Sequence, residues 1–74
     1  MKTTLAFGKN VQRFRIAKNL SQEKLGELSG LHRTYISGIE RGIRNPTLTV
    51  IVKIAMALGI EPGLLLKGMF HDKK

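Results

Sequence analysis

The stretch from Ser21 to Gly42, SQEKLGELSGLHRTYISGIERG, decides how this chain folds, and it reads as two short helices joined by a tight turn. Ser21 suits an N-cap, because a short side-chain oxygen accepts from the free N–H groups of a helix's first turn. Gln22 to Leu28 carries apolar Leu25 and Leu28, and Gly30 followed by apolar Leu31 marks a helix stop. In the second helix Ile36 and Ile39 stand three residues apart on one face. Burying that face turns its neighbours outward: Arg33, Thr34, Ser37 and Arg41, with Tyr35 near the start. All five carry side-chain hydrogen-bond donors.

Toward the N-terminus, Phe7, Val11, Phe14 and Ala17 recur every three or four residues, which predicts an amphipathic helix over 4–18 with residues 1–3 frayed. Its other faces hold Lys9, Arg13, Arg15 and Lys18 and no acid. Gly26 weakens the helix predicted over 22–29, so its expected compensation is close packing of that helix against the one over 33–41. Beyond Gly42 comes the loop IRNPT, with Pro46 and an N-cap at Thr47. Leu48, Ile51, Val52, Ile54, Ala55 and Leu58 then make a nearly all-round apolar helix over 48–58, which needs burial on more than one side. Pro62 opens a last helix over 62–67. Its adjacent Leu64, Leu65 and Leu66 cannot all face one small core. A second copy of the chain accounts best for the surplus, with Met69 and Phe70 extending the interface; the alternative is that these groups close the monomer's own core. The expected architecture is all-α: one compact five-helix domain over 1–74, its core in 4–67, with no repeat or internal linker.

At 74 residues the chain is near the small end of what folds without disulfides or metals, and it has no cysteine. Its two histidines, His32 and His71, lie far apart, so no metal and no cofactor is expected. The acids Glu23, Glu27, Glu40, Glu61 and Asp72 form no recognisable site with either, which argues against an enzyme. The longest apolar run, IVKIAMALGI, is broken by Lys53 and too short for a bilayer, and no signal-peptide pattern precedes it, so the expected location is the cytoplasm. Thirteen Lys and Arg against five acids give a net charge of +8, which favours a polyanionic partner. That partner is nucleic acid or an anionic membrane surface, and the outward donors of the helix over 33–41 favour DNA over lipid.

Gln22, Leu25, Gly26, Gly30, Ile36 and Ile39 resemble the helix-turn-helix of the lambda-repressor-like, or xenobiotic-response-element (XRE), family of DNA-binding proteins. The resemblance continues through GIERG and NPTL to ALGIEPGLLL and covers residues 7–67, and the string RTYISGIERGIRNP is similar in particular to the controllers of restriction-modification systems. It implies a sequence-specific regulator of transcription that acts as a homodimer on double-stranded DNA. Half-sites of a roughly palindromic operator would lie about 34 Å apart. RNA polymerase is a further candidate partner, and no membrane is. A prophage-type repressor or an antitoxin would share the same DNA mechanism, and an interaction or dimerisation module without sequence-specific binding is the alternative from another class.

The resemblance also assigns roles. Arg33 and Thr34 open the helix that enters the major groove, where arginine can donate twice to guanine and threonine can reach a base or a thymine methyl. Ser37 is expected at the backbone or a base edge, and Tyr35 at a phosphate or against bases, or else partly packed. Gly38 stands where many relatives carry a long polar residue, which concentrates readout at Arg33 and Thr34. Ser21, Gln22, Arg41, Arg44 and Asn45 are the expected phosphate contacts, Gln22 through the positive end of its helix. Arg15 is expected to pair with Glu40, a guanidinium fork on a carboxylate. His32 occupies the usual N-cap position but is a poor capping residue; it is expected either as an exposed turn residue or beside a phosphate, where protonation would strengthen binding.

Overall fold

The computed structural model describes residues 2–69, and five helices account for most of them: α1 (Lys2–Ala17), α2 (Gln22–Ser29), α3 (Arg33–Glu40), α4 (Leu48–Leu58) and α5 (Pro62–Leu65). Each boundary has a local cause. Ser21 Oγ accepts from the Lys24 amide at 2.9 Å and Thr47 Oγ1 from the Val50 amide at 3.2 Å, which caps α2 and α4. At the other ends Gly30 and Gly59 take left-handed backbone, with φ of 77° and 70°, and turn the chain out of the helix. The end of α1 uses Asn19 for the same job at φ 58°, so that the Leu20 amide reaches back to the Arg15 carbonyl at 3.0 Å.

α3 is the central element and packs on both α1 and α2, while α4 lies against α2 and α5. The core joins all five: Phe7, Val11, Leu25, Ile36, Ile39, Ile54, Ala55, Leu58 and Leu65 are buried together. Two close backbone approaches set the position of α3. A Cβ on Gly26 would stand 2.6 Å from the Leu31 carbonyl oxygen, and one on Gly8 would collide with the Ile39 carbonyl. Only glycine lets the neighbouring backbones come that near. Buried Asn10 ties α1 to the C-terminal turn, its amide donating to the carbonyls of Leu65 at 2.8 Å and Lys67 at 3.1 Å.

Several expectations change. α1 begins at Lys2 rather than Thr4, and the hydroxyl of buried Thr4 donates to the Gly42 carbonyl at 2.7 Å, which anchors the first turn. Ala17 is exposed, and Leu20, folded back by the Asn19 turn, packs on the core instead. Leu28 is exposed as well: the buried face of α2 runs through Leu25, Gly26 and Ser29, whose hydroxyl donates to the Leu25 carbonyl at 2.7 Å. Leu48 also stays outside. α3 and α5 stop at Glu40 and Leu65, earlier than the predicted 41 and 67, with turns following.

The leucine run divides as its geometry requires, since adjacent helical positions point about 100° apart. Leu65 is 0% exposed and belongs to the monomer's core, so it is withdrawn from the expected interface between copies, whereas Leu64 and Leu66 remain 38% and 46% exposed. Met69 is half-buried against the same core, which favours closure of the monomer at that position, and Phe70 lies outside the described residues.

Candidate nucleic-acid interface

Because Ile36 and Ile39 are wholly buried, the opposite side of α3 is presented to solvent, and it carries the donors. Arg33 and Thr34 are exposed and Ser37 half-exposed. These three share one open hollow, of about 610 Å³, with Arg15, Ser21, Gln22 and Glu23. The hollow thus brings the first turn of α3 beside the N-terminus of α2, where free backbone N–H groups favour an anion. Ser21 remains able to donate, since its oxygen accepts from Lys24 and its hydroxyl hydrogen is not used by that bond.

A second group forms where the loop after α3 folds back along the helix. Arg44 places its guanidinium 5.4 Å from the centre of the Tyr35 ring, a cation–π contact, and its stem runs over Gly38. Added bulk at Gly38 would meet Arg44 Cγ at 2.9 Å, so the bare glycine makes room for an arginine that arrives from the loop. Tyr35 is partly packed against the core and partly open, and the face of its ring holds Arg44. Arg44 and Asn45 border a smaller hollow with Thr4, Gly42 and Ile43. Arg41 is exposed at the C-cap of α3 and borders neither hollow.

Arg15 and Glu40 meet as a bidentate pair inside this frame. Arg15 Nε donates to Glu40 Oε2 at 2.6 Å and Nη2 to Oε1 at 3.0 Å, while Nη1 donates to the Leu20 carbonyl at 2.8 Å. The side chains are 12% and 3% exposed, so the pair is largely desolvated. Gln22 completes it, its amide nitrogen donating to Glu40 Oε1 at 3.0 Å. Gln22 therefore has a role that the sequence reading did not include: its side-chain amide is held by Glu40 and braces α2 against the end of α3, while its backbone amide stays at the N-terminus of α2. A carboxylate so deeply buried needs more donors than one guanidinium supplies, a requirement that a search of the sequence for a third partner could have used.

His32 is a further correction. Its Nδ1 accepts from the Thr34 amide at 3.0 Å, so this histidine does cap α3. The expectation of a poor cap undervalued the ring nitrogen, which stands in for the usual side-chain oxygen. Among the described residues, no three His, Cys, Asp or Glu side chains come together to hold a metal, and no helix is long and apolar enough to cross a membrane.

Fold and exposed surface together define a DNA-binding domain of the lambda-repressor-like, XRE type, with α2 and α3 as its helix-turn-helix. The profile of the family described as Helix-turn-helix matches residues 11–65, and the chain belongs to that family. It is 56% identical over 63 residues to control protein C.BamHI of Bacillus amyloliquefaciens, covering 84% of this chain and 78% of that protein. Control protein C.SmaI of Serratia marcescens is 51% identical over 57 residues, 77% of this chain and 68% of that one. The crystal structure of the restriction-modification controller protein C.AhdI from Aeromonas hydrophila superposes with a TM-score of 0.83 at 52% identity, covering 84% of this chain and 94% of that chain. Close relatives are therefore controllers of restriction-modification systems, which are helix-turn-helix regulators of transcription.

Proposed function

We propose that the protein is a sequence-specific transcription regulator that binds double-stranded DNA as a homodimer on a roughly palindromic operator, and that it controls a restriction-modification system. The observation that carries this reading is the side-chain division of α3: Ile36 and Ile39 fully inside, Arg33 and Thr34 fully outside, beside the N-terminus of α2. Arg33 and Thr34, with Ser37 and Tyr35, read bases in the major groove. Ser21, Arg41, Arg44 and Asn45 hold phosphates and set the register. Gln22 contributes through its backbone amide, its side chain being engaged by Glu40. The net charge of +8 supplies long-range attraction and a steep salt dependence.

Exposed Leu64 and Leu66 support a self-interface at α5, and two copies related by a two-fold axis would place their α3 helices on half-sites about 34 Å apart. Identities of 56% and 51% to the control proteins, over 78% and 68% of their lengths, favour the controller reading over a prophage repressor or an antitoxin. Occupancy of the operator would then govern the protein's own promoter and the endonuclease gene, with RNA polymerase as the machinery blocked or recruited. Such a regulator works in the cytoplasm and has no catalytic step.

Selection of bound duplexes from a random pool tests the proposal, with the mass of the complex measured by sedimentation. An enriched inverted repeat carrying two chains is expected. Enrichment of no sequence, or a single chain on an asymmetric site, would refute it.

A further inference from the structure

We propose that His32 is the positioning residue of the recognition helix and that its cap makes DNA binding sensitive to acid. The inference rests on α3 being the helix that reads DNA, and it concerns how the first turn of that helix is held. His32 has extended N-cap backbone, φ −69° and ψ 144°, and its Nδ1 accepts the Thr34 amide at 3.0 Å. A ring nitrogen accepts only while it keeps its lone pair, so the neutral imidazole caps the helix with its hydrogen on Nε2. The imidazolium carries hydrogen on both nitrogens and cannot make this bond.

The surroundings give the charged ring somewhere else to go. His32 shares an open hollow of about 450 Å³ with Glu23 and Glu27 of α2 and with Arg33 of α3. Glu27 also lies 3.6 Å from Lys24, a pair that is exposed and weak. Arg33 and the positive end of α3 repel an imidazolium, whereas the two carboxylates across the hollow attract it. Protonation therefore takes the acceptor away from the Thr34 amide. The turn that loses its cap is the one that carries Arg33 and Thr34, the residues aimed at the bases. A histidine that merely touched a phosphate would respond in the opposite sense, with acid strengthening the complex.

The full-length protein tests this in two arms. In the free protein, the Thr34 amide is followed by NMR from pH 8 to pH 5.5, the range in which imidazole takes up a proton. Its resonance is expected to move and its exchange protection to fall on acidification. In His32→Asn, whose amide oxygen caps without titrating, neither should change. In the second arm, affinity is measured for a duplex that the wild type selects from a random pool at pH 8. Wild type is expected to weaken by pH 5.5, by up to about fivefold per recognition helix, the limit reached when a turn that has lost its cap must be re-formed on the DNA. His32→Asn should match wild type at pH 8 and stay flat, and His32→Ala should be weak at both. A Thr34 amide indifferent to pH, a His32→Ala that binds like wild type at pH 8, or tighter wild-type binding in acid would each overturn the proposal. Failure of the DNA reading shows differently: no duplex is selected at any pH, while the free-protein arm still reports on the cap.

Discussion

Replacing Glu40 by alanine removes the carboxylate at which α1, α2 and α3 meet. It leaves the Arg15 guanidinium, itself only 12% exposed, and the Gln22 amide without their acceptor. Truncating one member of a buried, bidentate pair costs about 3–5 kcal/mol, because the surviving charge stays desolvated. A chain of 74 residues is stable by roughly 4–11 kcal/mol in all, so the variant should lie close to its unfolding threshold. With an unfolding entropy of about 0.16 kcal/mol/K for this length, a 3 kcal/mol loss lowers the thermal midpoint by about 15–20 °C. Circular dichroism during heating and urea titration measures both quantities. The double variant Arg15→Met, Glu40→Leu removes the charges together and should recover most of the loss, as apolar replacements of buried pairs do. A loss below about 1 kcal/mol for Glu40→Ala, or a double variant no better than the single one, would refute the reasoning; the pair would then be a solvated ornament of the surface.

Gly26→Ala should destabilise by about 1–3 kcal/mol in the same urea titration, although alanine is the better helix former, since its Cβ would press on the Leu31 carbonyl 2.6 Å away. Arg44→Ala should weaken binding to every duplex by a similar factor and reduce the slope of log affinity against log salt by about 1 per half-site, with unfolding little affected. Leu64→Glu with Leu66→Glu should convert the proposed dimer to monomers in sedimentation while the helical spectrum persists, because neither side chain is in the core. A dimer that survives those two charges would move the self-interface elsewhere.

Much of the fold was legible because its signals are local. Ile36 and Ile39 at helical spacing, Ser21 and Thr47 as caps, and Gly30 and Gly59 as stops each act within a few residues, and each performs that role in the structure. Gly26 could be read as a point of close approach for the same reason. What escaped depends on which way a short helix rolls. In eight residues Leu28 and Ser29 fit an apolar face about equally by spacing, and the packing of α2 on α3 and α4 decides for small, hydroxyl-bearing Ser29. Periodicity shows that Leu64, Leu65 and Leu66 cannot all be buried, but only the packed helices say that Leu65 is the one inside.

The exposed surface was legible to a different degree. Arg33, Thr34 and Ser37 follow from the isoleucine face by elimination, and they do border a single hollow. The pairing of Arg15 with Glu40 came through the family resemblance, since 25 positions separate the two and no spacing rule joins them. Two side chains hold bonds that the sequence reading did not foresee. Gln22 spends its amide on Glu40, and His32 turns its ring nitrogen to the Thr34 amide. Composition states which donors and acceptors a residue has; the tertiary contacts state which of them are already used.

Competition binding with Arg33→Glu puts the central claim to its most direct test. Wild type should prefer the duplex it selects over a scrambled one, and the variant should lose that preference while sedimenting as wild type does. At about 1–3 kcal/mol for each bidentate arginine–guanine contact, the lost discrimination is about tenfold or more per half-site. An Arg33→Glu protein that still distinguishes the two duplexes as wild type does would contradict the assignment of α3 to the major groove.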